Sequence, residues 1–290
     1  MGITKFELPP DWLHETVARA LAEDLGAAGD VTSRACVSLA LEGPARIEAR
    51  EAGVLYGLEV VEEVFVQVCP GACFNWDTED GQAFPAGWII GSVWAETRDL
   101  LTAERTALNF LQRLSGIATL TRRYVQAVEG TRAVILDTRK TTPGLRLLER
   151  AAVRAGGGHN HRFGLSDGIL IKDNHLVAAG GIRPAVEAVR AGAHHLLKIE
   201  VEVTSLEGLE EALAAGAEAV LLDNMSVQQM AEAVQQARGL VLLEASGGVN
   251  LDNVGAIART GVDFISVGKL THSAPALDLS LELVGDGEDD

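Results

Sequence analysis

The sequence predicts an α/β chain in two parts: a mixed α+β first half, and a second half built from repeating strand–helix units. Three observations carry this reading. From residue 133 onward, short apolar runs alternate with amphipathic stretches, and the later runs begin at 195, 219, 240 and 263, 21 to 24 residues apart. That spacing is one strand plus one crossover helix, the unit of a parallel sheet. Most of these runs end in a charged, amide or glycine-rich group. Finally, aromatic residues make up only 4% of a chain that is 47% hydrophobic, which favours close-packed helix-on-strand layers over an all-β sandwich. Closing six such units gives a (β/α) barrel, complete or partial, and leaving them open gives a doubly wound sheet. No G-x-G-x-x-G follows any run, which lowers the dinucleotide-binding alternative.

Taken in order, residues 11–24 place Trp12, Leu13, Val17 and Leu21 on one helical face. Residues 45–56 and 88–96 read as strands, with turns at Gly53, Pro70-Gly71 and Pro85-Ala86-Gly87. Residues 101–123 form a long helix, interrupted near Ser115-Gly116. The strands of the second half fall at 133–137, 168–172, 195–202, 219–223, 240–245 and 263–267. Helical patterns at 145–155, 184–191, 206–215, 227–237 and 253–260 lie between or after them. The acidic tail 285–290 is expected to be disordered.

Composition excludes several function classes. The formal net charge of -17 argues against nucleic acid or an anionic membrane as a partner. No apolar run approaches the roughly 18 residues that cross a bilayer, and the first residues carry neither a basic n-region nor an apolar h-region. Cys36, Cys69 and Cys73 cannot all pair and lack zinc spacing, so they read as thiols of a reducing cytoplasm. Against the acidic background, residues 139–172 carry seven basic side chains and only Glu149 and Asp167. Arg146, Arg150 and Arg154 suit a solvated helix face. Arg139, Lys140 and Lys172 do not, because they follow strands.

In parallel α/β folds the carboxyl ends of the strands form the functional face. Here those ends carry Asp137-Thr138-Arg139-Lys140, Lys172-Asp173-Asn174, Glu200-Val201-Glu202, Asp223-Asn224, Ser246-Gly247-Gly248 and Gly268-Lys269. Arg139, Lys140, His161, Arg162 and Lys172 make a cationic cluster suited to carboxylates and phosphates. Glu202 and Asp223, without thiol or imidazole at zinc spacing, suit a hard ion such as Mg²⁺. Glu200 and Glu202 share one strand face, so one meets a ligand and the other supports it. Ser246-Gly247-Gly248 and Val267-Gly268 offer backbone N–H groups to phosphate. His194 and His195 sit at a strand start, the wrong end, and read as structural.

The ordered series AERTALNFLQ (103–112), SGIAT (115–119), DTRKTTPG (137–144), GGGHNHR (156–162), ILIKDNH (169–175), EVE (200–202), LDN (222–224), EASGG (244–248) and SVG (266–268) resembles the quinolinate phosphoribosyltransferase family over about residues 5 to 280. That resemblance implies an N-terminal α/β sandwich domain (1–115), a C-terminal open, incomplete (β/α) barrel (116–274) and a segment (275–290) returning to the first domain. It implies the joining of quinolinate and phosphoribosyl pyrophosphate, with Mg²⁺, to give nicotinate mononucleotide, pyrophosphate and CO2. It further implies a homodimer with shared active sites, its assembly beyond the dimer left open. By position, Arg105, Arg139, His161, Arg162 and Lys172 would hold the two carboxylates of quinolinate. Thr138 and Lys140 would serve the site beside them, Lys140 on the sugar-phosphate side. Glu202 and Asp223 would meet ribose hydroxyls and the magnesium diphosphate, and Ser246, Gly247, Gly248, Val267 and Gly268 the 5′-phosphate. Lys140, Lys172, Glu202 and Asp223 are the expected catalytic group. A nicotinate-specific relative, an aldolase using Lys172 as a Schiff base, and a non-catalytic phosphometabolite-binding barrel are the competing readings.

Overall fold

The computed structural model describes residues 8–284; the acidic tail expected to be disordered lies outside the described residues. In chain order the elements begin α1 (Pro10–Leu25), α2 (Val31–Cys36), β1 (Glu42–Ala49), β2 (Gly53–Val54), α3 (Leu58–Val68), β3 (Cys73–Trp76), β4 (Ala83–Phe84), β5 (Ile89–Glu96) and α4 (Thr97–Ala127). They continue with β6 (Val134–Leu136), α5 (Arg146–Ala155), β7 (Ile169–Ile171), α6 (Asp173–Ala179), α7 (Ile182–Gly192), β8 (Ile199–Val203), α8 (Leu206–Ala215) and β9 (Ala219–Asp223). The last are α9 (Val227–Ala237), β10 (Leu242–Ser246), α10 (Val254–Ala258), β11 (Phe264–Ser266), α11 (Lys269–His272) and β12 (Leu279–Leu283). The chain divides into two compact units. One gathers the chain through Leu120, Leu147–Gly157 and everything from Ala274; the other holds Thr121–Arg146 and Gly158–Ser273.

The first unit is built on an antiparallel sheet of order β12-β1-β5-β3. Alternation along β1 buries Ala45, Ile47 and Ala49 completely, and α3 adds Val61, Val64 and Phe65 to that core. The long helix α4 is continuous, so the expected interruption at Ser115-Gly116 is corrected. Ser115 Oγ instead accepts from the Tyr56 N–H at 3.1 Å, serving the packing rather than breaking the helix. Gly116 lets the Pro275 carbonyl approach so closely that a Cβ there would lie 2.0 Å from its oxygen. On α5, Arg150 is buried rather than solvated, and buried Glu149 pairs with Arg113 at 2.8 Å.

The second unit carries a six-stranded parallel sheet of order β6-β11-β10-β9-β8-β7. Val201, Val220, Leu222, Ala245 and Ile265 are wholly buried in it. Helices supply the complementary layer through Leu209 and Ala212 of α8, and Met230, Ala233 and Ala237 of α9, spaced three or four apart. Ser205 and Ser226 cap these helices by accepting from the N–H groups of Gly208 and Gln229. The sheet is open: β6 and β7 are its edges, and the free edge of β6 takes a single parallel bridge between Leu136 and His159.

Two strands start later than the apolar runs suggest. β8 begins at Ile199, not His195, because pairing starts there: Ile199 stands opposite Ile169 of β7, and its carbonyl accepts from the Glu218 N–H at 3.0 Å. His194 and His195 lie in the preceding turn with rings stacked at 4.7 Å. Likewise β10 starts at Leu242, since the Leu240 N–H still bonds back to the Ala237 carbonyl at the end of α9. α6 follows Lys172 directly, at a place where the residue pattern shows only a strand end.

Candidate active site

A cavity of about 620 Å³ opens at the carboxyl ends of the second unit's strands, the size of a small-molecule site. Thr138, Arg139, Lys140, His161, Arg162, Lys172, Glu202, Asp223, Ser246, Gly247 and Gly248 all line it, gathered from β6 to β10 and the segment before β7. Val267 is buried and does not line it; Gly268 does not either, but it lies against the Lys140 side chain, only 3.1 Å from where a Cβ would sit. Arg105 belongs to the first unit, on α4, with its side chain 59% exposed and 3.7 Å from Glu104, and it is not among the lining residues.

The cationic side is assembled by short local bonds. Asp137, wholly buried after β6, accepts from the His161 N–H at 2.8 Å and from the Asn160 side chain at 2.6 Å. Asp167 accepts from the N–H groups of Phe163 and Gly164 at 2.6 and 2.7 Å. Arg162 reaches the Gly168 carbonyl at 2.9 Å just before β7. Burial, and then the neighbouring charge of Arg139, hold the Arg162 guanidinium below its ordinary pKa. The protein therefore keeps two like charges together in a partly desolvated place. The side-chain Nε of Arg139 is buried without a hydrogen-bond partner. A donor left in that state fits an acceptor group on a ligand.

The acidic side divides as the strand periodicity predicts. Glu200 and Glu202 point from the same face of β8, between buried Ile199, Val201 and Val203. Glu202 lines the cavity and accepts from Lys172 Nζ at 2.8 Å across the β7–β8 pair. Glu200 supports instead, with its Oε2 3.4 Å from His161 Nε2, while Glu244 Oε2 lies 3.3 Å from the same nitrogen. Burial alone would lower the His161 pKa, but the hydrogen bonds and charges of the two carboxylates outweigh it and push it up to about 10. Burial pushes the Glu200 carboxyl up. The Arg162 N–H lies 2.7 Å from His161 Nδ1, which orients the ring so that Nε2 faces the two carboxylates.

Asp223 ends β9, its Oδ2 accepting from the Asn224 side chain at 2.8 Å. Asn224 in turn donates its N–H to the Ser246 carbonyl at 2.9 Å. Gly247 and Gly248 follow in consecutive left-handed conformations, φ +87 and +62. A Cβ on Gly247 would fall 2.2 Å from Asn224 Oδ1, so this turn requires glycine by space as well as by angle. Glu202 and Asp223 offer hard oxygen donors. Glu202 is already held by Lys172, and among the described residues no third ligand completes a cage around the two. They fit a divalent cation that arrives with substrate phosphate oxygens and water, not a protein-caged one. The compact His161–Glu200–Glu244 group is tight enough to hold an ion, but the imidazole Nε2 already lies between an oxygen of each carboxylate.

Glu244 is the lining residue that sequence reasoning quoted without assigning. It is 4% exposed, and its Oε1 has no partner. The signal was available: a lone carboxylate inside the apolar run Leu242–Ser246 must have a reason to be buried. Asn224 and Ser266 also line the cavity. Among the described residues no helix is long and apolar enough to cross a membrane.

Comparison with known proteins completes the description. The sequence model of the quinolinate phosphoribosyl transferase C-terminal domain matches residues 117–282, and that of the N-terminal domain matches residues 30–115. The carboxylating nicotinate-nucleotide pyrophosphorylase of Mycobacterium leprae is 47% identical over 278 residues, covering 94% of this chain and 98% of that protein. A probable carboxylating nicotinate-nucleotide pyrophosphorylase of Synechocystis is 45% identical over 285 residues, covering 96% and 95%. The structure of the nicotinate-nucleotide pyrophosphorylase from Francisella tularensis superimposes with a TM-score of 0.89 at 42% identity, covering 96% of this chain and 98% of that one.

Proposed function

The chain belongs to the quinolinate phosphoribosyltransferase family, and we infer that it transfers the phosphoribosyl group of phosphoribosyl pyrophosphate to quinolinate in NAD biosynthesis. The pyridine nitrogen forms a bond to C1 of the ribose as the bond to pyrophosphate breaks. The ring, now cationic, draws electrons from the bond to its 2-carboxylate. CO2 leaves, a proton is taken up at that carbon, and nicotinate mononucleotide remains. No covalent enzyme intermediate is required, so the task of the protein is positioning and charge stabilisation.

The observation that carries the reading is the pair Arg139 and Arg162, two guanidiniums that line the same cavity at the mouth of the sheet. Two adjacent anionic groups on one small ring are the complement such a pair needs. Lys172 and Arg162 would hold the carboxylates, and Lys140 would face the sugar phosphate. Glu202 and Asp223 would stabilise positive charge developing on the ribose and hold the magnesium that accompanies the diphosphate. That ion, when bound, neutralises the leaving group. The Ser246–Gly247–Gly248 turn would present backbone N–H groups to the 5′-phosphate. Arg105, exposed and not among the residues that line the cavity, supports a homodimer in which a second copy supplies it to the site. The thiols of Cys36, Cys69 and Cys73 are all free, which supports a cytoplasmic home.

The test is release of labelled CO2 from carboxyl-labelled quinolinate, with and without phosphoribosyl pyrophosphate and Mg²⁺. Release is expected only when all three are present. Pyrophosphate formation from nicotinate without loss of CO2 would assign the nicotinate-specific alternative instead.

A further inference from the structure

Arg146 opens α5 and does not line the cavity, yet its guanidinium reaches both segments that carry the cavity's arginines. Nε donates to Thr141 Oγ1 at 2.9 Å, Nη1 to the Phe163 carbonyl at 3.0 Å and Nη2 to the Arg139 carbonyl at 3.3 Å. Its carbon centre lies 5.9 Å from the centroid of the Phe163 ring, within cation–π range. The planar fork of arginine serves three acceptors from one rigid group, which lysine cannot do. Arg139 and Thr141 belong to the turn after β6; Phe163 directly follows Arg162 in the segment before β7.

Other bonds also hold these segments: the Arg162 side chain reaches the Gly168 carbonyl and its N–H meets His161 Nδ1. Asp137 holds the later segment at residues 160 and 161, and Asp167 folds residues 163 and 164 onto the segment's own end. Arg146 bonds to the backbone beside both arginines at once. Through these bonds the turn that carries Arg139 is joined directly to the segment that carries Arg162.

We propose that Arg146 is a positioning residue that fixes the spacing of Arg139 and Arg162, and so selects an acceptor bearing two neighbouring carboxylates. The proposal rests on the phosphoribosyl-transfer reading and deepens it. With the tie cut, the two arginines relax apart and the dicarboxylate loses its simultaneous grip. A single carboxylate, needing one arginine, loses little. Of the sugar-phosphate half of the site only Lys140 shares the tied turn; the parts at the ends of β9 and β10 are left as they were, so phosphoribosyl pyrophosphate is affected less than the dicarboxylate.

The experiment compares wild type, Arg146→Ala and Arg146→Lys. It follows kcat, the two Michaelis constants, thermal midpoints, and binding of benzene-1,2-dicarboxylate and benzoate as unreactive probes. In Arg146→Ala, the KM for quinolinate and the dissociation constant for the 1,2-dicarboxylate should rise about tenfold to a hundredfold, the cost of roughly an ångström of misplacement. The KM for phosphoribosyl pyrophosphate and the binding of benzoate should stay near wild type. Arg146→Lys, which folds with the charge kept, should recover only part of the loss, and added guanidinium should restore dicarboxylate binding to Arg146→Ala. Equal rises in both Michaelis constants, unchanged dicarboxylate binding, or full recovery by lysine would overturn the proposal. Failure of wild type to turn over quinolinate would instead overturn the assigned reaction.

Discussion

At the scale of single residues, the most consequential group is His161 with Glu200 and Glu244. Three ionisable side chains share two protons in a place where each alone would be costly to bury. Because the folded pKa of the imidazole is raised, its contribution to stability is fully present below the ordinary histidine value. That contribution is lost as pH rises through about 10. Thermal midpoints measured from about pH 7 toward about 10 should therefore fall more steeply for wild type than for His161→Gln, whose amide does not titrate. Parallel curves would show that the cluster is not holding its second proton. Sequence reasoning found His161 and Glu200 from their neighbours and strand face. It left Glu244 unassigned because that carboxylate stands alone inside its apolar run, with no second acid to mark a face as Glu202 does for Glu200.

At the scale of elements, the glycine turn after β10 is the part of the site most intolerant of change. Gly247→Ala must strain a left-handed backbone and displace Asn224, at a cost of about 1–3 kcal/mol. The variant should raise the Michaelis constant for phosphoribosyl pyrophosphate well above that for quinolinate; an effect confined to quinolinate would remove this turn from the phosphate side. The strand ends that hold such groups were legible because a buried parallel strand is an apolar run, and the first polar residue after it marks the exit. β9 and α9 were read to the residue. Strand beginnings were less legible: the run from His195 is apolar enough to continue β8 backward, and only pairing with Ile169 of β7 shows where the ladder starts. The interruption expected in α4 failed for a related reason. A Ser-Gly pair reads locally as a helix breaker, and the carbonyl of Pro275 that makes Gly116 necessary lies about 160 residues away in sequence.

At the scale of the whole molecule, the shared-site reading has a direct test in complementation. Arg105→Ala and Lys172→Ala should each be inactive alone. After mixed reassembly, a heterodimer holds one site with both defects and one with neither, so activity should return. Exchange of subunits without recovery would return Arg105 to its own chain. The path of the chain has another consequence, for the order in which the molecule can be made. The first unit is not finished when its first 120 residues have been joined: α5 comes later, and β12, the partner of β1, comes almost last. The Leu277 N–H donates to the Gln112 carbonyl and the Gln112 side chain donates to the Leu279 carbonyl, closing that unit from the end of the chain. On the ribosome, the early sheet must wait with one edge of β1 unpaired while the whole parallel sheet is synthesised. A stop codon shortly before residue 274 would therefore injure the beginning of the protein more than its end.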